Sequence, residues 1–199
     1  MFRRDEAEGR PGRRFSDWRP GGPWRMLRAV KSVALVSTGG TIEKTYDALT
    51  GVLANDVSIL DVMLAGLELR GAEFDRIHLM NKDSLEMTDA DHDLIADTAH
   101  HAAQRHDGVV IVHGTDRLEM SGERILARGL PPVPVVLTGA MRPYELRTTD
   151  ALQNLVEALT AVQLLQAGVY ASMHNRVMKF PGVVKDRRRG TLVPLEEKL

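Results

Sequence analysis

The chain has 199 residues, of which 43% are hydrophobic and 27% are charged, and its formal net charge is −1. This composition indicates one globular domain and gives no reason to expect that the protein as a whole binds nucleic acid or a membrane. The sequence contains no cysteine, which excludes disulfides, thiolate metal sites and a cysteine nucleophile. Any nucleophile must therefore be an oxygen or an amine.

The first 25 residues form a segment rich in Arg, Gly and Pro. It holds seven arginines and four acidic residues, and its apolar residues follow no helical or strand period. We therefore expect residues 1–25 to be a disordered basic tail and residues 26–199 to form one domain. A basic arm that contacts an anionic partner is the alternative. The tail lacks the apolar segment of a secretory signal, so we expect a cytoplasmic protein.

From residue 29 onward, the hydrophobic pattern predicts alternating strands and helices. In chain order these are strand 29–38, helix 56–67, strand 74–80, helix 88–106, strand 108–114, helix 118–127, strand 133–140, helix 150–166 and strand 168–173. Thr88 and Asp91 have the spacing of a capping box, and Asp56 and Asp150 are placed to cap two other helices. Asp150 is also expected to have a secondary role in shaping the site. The pattern predicts an α/β fold of three layers, with a mostly parallel sheet and helices on both faces.

Polar, mostly glycine-containing segments follow the first four strands. They are STGGT (37–41), KDS (82–84), HGTD (113–116) and TGA (138–140). Because ligands bind at the carboxyl ends of parallel strands, these segments are the expected site. The first lacks both nucleotide-binding glycine patterns, and its glycines alone are equally typical of a tight turn. HGTD is likewise compatible with a simple helix start.

Taken together and in order, these motifs resemble those of bacterial-type L-asparaginases, in a short single-domain form. The motifs are TGGTIE (38–43), KDSLEMTD (82–89), HGTD (113–116) and TGAMRP (138–143), followed by Asp150, Asn154 and Lys185. The resemblance covers about residues 30–186 and implies a Rossmann-like fold similar to the asparaginase N-terminal domain. It also implies an amidohydrolase that converts L-asparagine to L-aspartate and ammonia, without cofactor or metal.

The resemblance implies the catalytic residues. Thr41 corresponds to the family's first nucleophilic threonine, and Tyr46 to the tyrosine that assists it. Thr115 and Asp116 correspond to the second threonine and its neighbouring acid, and Lys185 to the catalytic lysine. The expected reaction is acylation of a threonine, release of ammonia and hydrolysis of the ester. The sequence does not decide which threonine attacks first, and we favour Thr41.

Four positions are implied to bind the substrate. Ser84 corresponds to the serine that binds the α-carboxylate, and Asp116 also holds the α-ammonium. Ala140 presents its backbone to the substrate amide, and Gly40 keeps side chains away from the nucleophile. Backbone N–H groups at the glycine-rich turns are suited to stabilise the oxyanion of the tetrahedral intermediate.

Two departures from the family pattern affect the expected substrate. Leu85 stands where the family commonly has a glutamine that contacts the substrate amine, so we expect asparagine preference with low glutaminase activity. The chain ends at Leu199, whereas long family members continue into a second domain that lends a carboxylate to the neighbouring subunit. We therefore expect the substrate ammonium to rely on Asp116 or on an acid from elsewhere, with weak affinity.

Two alternative functions remain. One is an inactive truncated relative that acts as a binding or regulatory subunit, and the other is the amidase subunit of an amidotransferase complex. As partners we expect only the small-molecule substrate and further copies of the chain in a homo-oligomer, with no nucleic acid and no membrane. Arg187, Arg188 and Arg189 are interpreted as a solvated end. The histidines of the segment 88–106 do not have metal-site spacing.

Overall fold

The computed structural model describes residues 32–55 and 58–198. The predicted tail, residues 1–25, and the predicted helix cap Asp56 lie outside the described residues. Within the described ranges, none of the helices has the length and apolar character needed to cross a membrane.

The helices and strands follow one another in a mostly alternating order. They are β1 (Ser32–Gly39), β2 (Thr45–Asp47), β3 (Val52–Ala54), α1 (Leu60–Ala65), β4 (Glu73–Lys82), α2 (Asp89–Ala103), β5 (Gly108–Val112), α3 (Leu118–Ala127), β6 (Pro134–Thr138), α4 (Ala151–Leu164), β7 (Gly168–Met173), β8 (Arg176–Lys179), β9 (Val183–Asp186) and β10 (Thr191–Pro194).

Six of the strands form one sheet in the order β4–β1–β5–β6–β7–β8. The first five are parallel, and β8 runs antiparallel to β7 at the edge. Strand β1 lies inside the sheet, and its Val36 is opposite Ile77 of β4 and Ile111 of β5. The predicted mostly parallel sheet is confirmed, and the apolar character of β1, β5 and β6 follows from burial on both faces.

Helices cover both faces of the sheet, as the sequence predicts. On one face, Ile95 of α2 and Ile125 of α3 pack against alternate sheet residues such as Val36. On the other face, Met63 of α1 and Leu155 of α4 pack against the intervening set, which includes Val33 and Leu35. Successive strand residues point to opposite faces, so a single continuous apolar strand supplies both cores.

The caps differ from one helix to the next. Thr88 and Asp91 form the predicted capping box, with each side chain accepting a hydrogen bond from the other residue's N–H. Asp150 occupies the N-cap position of α4, but its side chain makes no capping hydrogen bond with that helix. The predicted capping contact of Asp150 is therefore wrong, because its carboxylate accepts hydrogen bonds from the loop that precedes α4.

Three short elements were not predicted by the hydrophobic pattern. They are the hairpin β2–β3, the edge strand β8 and the hairpin β9–β10. Strands of three or four residues are too short to establish a period of two. Strand β8 follows β7 through His174 and Asn175, which have left-handed φ values of 53° and 61°. Two consecutive left-handed residues are typical of a tight hairpin turn.

Hairpin β9–β10 is docked against helix α3. The Gly182 N–H, just before β9, donates to Glu123 Oε1 at 2.7 Å. Phe180 packs against Gly122 so closely that a Cβ at Gly122 would lie 2.5 Å from Phe180 Cε1. A glycine inside a helix is usually unfavourable, so its presence here is explained by this contact.

Replacement of Gly122 by alanine is expected to destabilise the protein. Alanine normally stabilises a helix by about 1 kcal/mol relative to glycine, but overpacking a buried contact costs about 1–3 kcal/mol. We expect a net loss of about 1 kcal/mol in the free energy of unfolding, measured by urea denaturation. The matched control is Gly66→Ala, where the added Cβ meets its nearest neighbour at an ordinary 3.5 Å. A stability gain in Gly122→Ala would contradict the proposed packing.

Candidate active site

Segments that follow the first strands of the sheet converge at one point. A Cβ at Gly40, which follows β1, would overlap the backbone of Gly114, which follows β5. A Cβ at Gly114 would in turn lie 2.5 Å from Ser84 Oγ. Gly40 also has a left-handed φ of 85°. Only glycine satisfies both requirements at position 40, and the result is that the Thr41, Ser84 and Thr115 loops lie side by side.

Three predicted catalytic side chains are in direct contact. Lys185 Nζ, on β9, donates a hydrogen bond to Thr115 Oγ1 at 2.9 Å. The same nitrogen lies 3.1 Å from Asp116 Oδ2. Thr115 is buried, and the side chains of Lys185 and Asp116 are 15% and 18% exposed. The structure thus brings together a hydroxyl, an amine and a carboxylate whose residues are up to 70 positions apart.

Arg187 also reaches this cluster. Its Nη2 lies 2.7 Å from Asp116 Oδ1, although 70% of the arginine side chain is exposed. The interpretation of Arg187 as part of a solvated end is therefore incomplete. Arg188 is exposed as expected, and Arg189 lies 3.4 Å from Asp186. The sequence alone does not show which of the three arginines contacts the site. That depends on the direction in which each side chain points along β9 and the turn that follows it.

Thr41 and Tyr46 are less closely tied to the cluster. Thr41 begins a 3-10 turn (Thr41–Glu43), is half-buried, and its hydroxyl makes no hydrogen bond with the described residues. Tyr46 lies on β2 with 56% of its surface exposed, and it likewise makes no side-chain hydrogen bond within the described ranges. The structure therefore places Thr41 beside the Gly40–Gly114 contact but does not bring Tyr46 into contact with the other predicted residues.

Ser84 is buried at the base of the site, while the neighbouring Leu85 is about half exposed. The 3-10 turn that carries them (Ser84–Glu86) is capped by Asp83, which accepts from the Leu85 N–H. Asp83 also pairs with Lys44 at 2.6 Å. Burial opposes ionisation of Asp83, but the hydrogen bonds from Lys44 and Leu85 outweigh it and lower the pKa of this carboxyl. The Lys44–Asp83 pair was not predicted from the sequence.

Asp150 organises the loop that contains Ala140. Its carboxylate accepts from the N–H groups of Met141 and Arg142, both at 2.9 Å, and from His174 Nε2 at 2.8 Å. Ala140 is fully buried next to these residues. Burial alone would raise the pKa of Asp150, but the Met141 N–H and His174 outweigh it and lower this pKa. The Asp150 carboxylate thus fixes the loop before α4, which explains why it does not cap that helix.

A buried chain of hydrogen bonds supports the Thr115 turn from below. His113 Nδ1 bonds the carbonyl of Gly114 at 2.8 Å, and His113 Nε2 bonds Ser121 Oγ at 2.8 Å. Ser121 Oγ also bonds His92 Nδ1 at 2.7 Å. A carbonyl only accepts, so His113 Nδ1 carries the hydrogen, Ser121 donates to His113, and His92 donates to Ser121. Burial lowers the pKa of both rings, which favours the neutral form of each.

The remaining helix histidines serve other contacts. His100 bonds the Ile125 carbonyl at 2.9 Å, and His106 lies 3.3 Å from Asp75. Across residues 32–55 and 58–198, no group of three or more His, Asp or Glu could hold a metal ion.

The family can be identified by comparison with known proteins. A model of the family described as Asparaginase, N-terminal, matches residues 32–189. The chain belongs to the asparaginase family. Its motif-based resemblance to this family is thereby confirmed, and the matched range includes the cluster of Thr115, Asp116 and Lys185 as well as Thr41.

Two curated relatives illustrate what the chain is similar to. A glutamyl-tRNA(Gln) amidotransferase component from Haloquadratum walsbyi is 36% identical over 148 residues, which is 73% of this chain and 34% of the relative. An L-asparaginase from Thermococcus kodakarensis is 34% identical over 150 residues, which is 72% of this chain and 44% of the relative. The chain thus spans between about a third and a half of the length of these asparaginase-family relatives.

Solved structures agree with the fold. The thermostable L-asparaginase from Thermococcus kodakarensis superimposes with a TM-score of 0.71 at 30% identity, covering 77% of this chain and 47% of that one. A probable cytoplasmic L-asparaginase from Campylobacter jejuni gives a TM-score of 0.64 at 29% identity, covering 78% and 49%. The asparaginase-like fold expected from the motifs is confirmed.

The buried state of His113 predicts a pH dependence of stability. Burial lowers the pKa of His113 from 6.5 to about 4. The unfolded chain therefore binds a proton near pH 6.5 that the folded protein does not accept until about pH 4, so stability falls as the pH drops through this interval. The loss from this residue amounts to roughly 3 kcal/mol, measurable by urea denaturation at a series of pH values.

A pair of variants isolates this contribution. His113→Gln removes the titrating ring, so its free energy of unfolding should vary less than the wild type between pH 7 and pH 4. His101→Gln, at an exposed position of α2, should retain the wild-type pH dependence. Identical pH profiles for His113→Gln and the wild type would show that His113 is not held neutral.

Proposed function

We propose that this asparaginase-family chain hydrolyses the side-chain amide of L-asparagine through a threonine acyl-enzyme, giving L-aspartate and ammonia. The observation that carries the proposal is the contact of Lys185 Nζ with both Thr115 Oγ1 and Asp116 Oδ2. A hydroxyl is a weak nucleophile until a base accepts its proton, and an amine beside it supplies that base. The similarity to an L-asparaginase supports the choice of substrate.

In the acylation step, the threonine oxygen bonds to the amide carbon and its proton passes to the side-chain nitrogen of Lys185. The carbon–nitrogen bond then breaks, the leaving nitrogen takes that proton back from Lys185, and ammonia leaves. Water completes the cycle by hydrolysing the ester, which restores the hydroxyl and releases the carboxylic acid. Asp116 stabilises the ammonium form of Lys185 while it holds the proton, in the way that a triad carboxylate stabilises its base.

Backbone donors are available for the developing oxyanion. Within the part of the chain that the structure describes, the N–H groups of Thr41 and Thr115 make no hydrogen bond. Their loops are adjacent because Gly40 and Gly114 are in contact. Donors fixed in this way before reaction can contribute a few kcal/mol each to transition-state stabilisation.

The identity of the first nucleophile can be tested with matched variants. The family resemblance favours Thr41, whereas Lys185 contacts Thr115, so both hydroxyls are proposed to be required. We expect Thr41→Ala and Thr115→Ala each to reduce kcat for ammonia release from L-asparagine by about 100-fold or more. Thr41→Ser and Thr115→Ser keep the hydroxyl and serve as controls.

The variants also locate the acyl group. Full activity in Thr41→Ala would assign the nucleophile to Thr115, and no ammonia release from the wild type would favour a binding or regulatory subunit instead. Mass spectrometry of rapidly quenched enzyme identifies which threonine carries the ester.

The proposed preference for asparagine over glutamine depends on Leu85. Its apolar side chain is about half exposed beside the buried Ser84 and offers no hydrogen bond to a substrate amine. We expect kcat/KM for glutamine to be well below that for asparagine, and Leu85→Gln to raise the glutamine-to-asparagine ratio several-fold. Leu85→Met is the control for size alone. Equal turnover of both amides by the wild type would contradict the assignment.

A second candidate is the amidase subunit of an amidotransferase, which the similarity to glutamyl-tRNA(Gln) amidotransferase components favours. In that case the ammonia would pass to a partner protein instead of being released. Comparing ammonia release by the purified chain with release in the presence of candidate partners separates the two functions. A cytoplasmic homo-oligomer remains our expectation, and sedimentation of the purified protein measures its oligomeric state.

A further inference from the structure

Asp116 contacts two cationic side chains, one at each carboxylate oxygen. Lys185 lies 3.1 Å from Oδ2, and Arg187 lies 2.7 Å from Oδ1. Lys185 is largely buried, whereas 70% of the Arg187 side chain is exposed. The two contacts therefore differ in character. The first belongs to the interior of the site, and the second forms its outer boundary.

The Oδ1 atom of Asp116 has unused hydrogen-bonding capacity. It is buried, yet no described residue makes an aligned hydrogen bond to it, although Arg187 approaches within 2.7 Å. An ionised carboxylate oxygen accepts up to two hydrogen bonds, and a buried acceptor without one is unfavourable. A small cation with N–H donors that enters the site can supply the missing bond.

We propose that Arg187 is a specificity-determining residue that competes with the cationic amine of a ligand for Asp116 Oδ1. This inference rests on the proposed function, in which Asp116 receives the α-ammonium of the substrate. A ligand ammonium at Oδ1 would meet the guanidinium at the same oxygen, so Arg187 must move away or share it. Dicarboxylic ligands without an amine do not face this competition.

The competition is expected to be modest. An exposed arginine loses little by leaving a carboxylate, since ion pairs at the surface contribute between about 0 and 1 kcal/mol. Arg187 therefore weakens the binding of an amino acid without preventing it. Salt should reduce the effect, because mobile ions screen an exposed guanidinium more strongly than a buried pair.

The test compares two ligands that differ only in the amine. L-Aspartate carries the α-ammonium, and succinate is the same dicarboxylate without it. Binding of each is measured by titration calorimetry at low ionic strength to the wild type, Arg187→Ala and Arg188→Ala. Arg188 is the matched control, because it is exposed, adds the same charge, and makes no ion pair with the described residues.

We expect Arg187→Ala to bind L-aspartate about two- to fivefold more tightly than the wild type, with no gain for succinate. Arg188→Ala should leave the ratio of the two affinities unchanged. High salt should bring Arg187→Ala and the wild type closer together. KM for L-asparagine should fall in Arg187→Ala in parallel with the L-aspartate affinity.

Several results would overturn the inference. They are an unchanged affinity ratio in Arg187→Ala, an equal change in Arg188→Ala, and failure of both ligands to bind any of the three proteins. Because binding is measured without turnover, the two proposals fail separately. A shifted ratio without amide hydrolysis would reject the asparaginase function alone, and hydrolysis with an unshifted ratio would reject the role of Arg187 alone.

Discussion

The contact between Lys185 and Thr115 is the constraint on which the site depends. The two residues are 70 positions apart, and they lie on elements with different structural support. Thr115 follows a central strand of the sheet, whereas Lys185 lies on a four-residue strand outside that sheet. A hairpin of this size is not stable alone, so its position depends on packing. Phe180 against Gly122 and the Gly182–Glu123 hydrogen bond supply that packing.

Charged and neutral groups lie at different depths around the Thr115 turn. Beneath the Thr115 turn, His113 and Ser121 are fully buried, neutral and joined by directed hydrogen bonds. Above it, Asp116 and Lys185 are partly exposed and form an ion pair. Neutral groups avoid the high cost of burying charge, so the supporting layer fixes geometry at little electrostatic cost.

The sequence predicts the central strands and helices of this structure better than its short hairpins and loop contacts. The long apolar strands, the capping box at Thr88 and the loops after the strands all follow from local pattern, and the structure has them. The hairpin that carries Lys185 was not predicted, because four-residue strands contain too few residues to show alternation. Sequence reasoning also missed the loop contacts of Asp150, since a residue placed to cap a helix can equally accept hydrogen bonds from the loop before it.

Arg187 and Ser121 illustrate a second limit. Three consecutive arginines look alike in a sequence, and only the turn after β9 directs one of them towards Asp116. Ser121 lies inside a helix, where serine is common on solvent-facing surfaces. Its importance appears only once helix α3 is packed so that the hydroxyl lies between His92 and His113. Roles that depend on packing between distant elements therefore require the structure.

Asp116 links catalysis to binding because one carboxylate serves two cations. In the proposed reaction, Oδ2 stabilises the charge that Lys185 gains, and Oδ1 is the acceptor offered to a ligand amine. Any change to Asp116 itself alters both properties together, since the charge is shared by the two oxygens. Arg187 contacts only Oδ1 and lies mostly in solvent. Its position therefore allows ligand affinity to change while the Lys185–Thr115 contact, and with it the chemistry, is preserved.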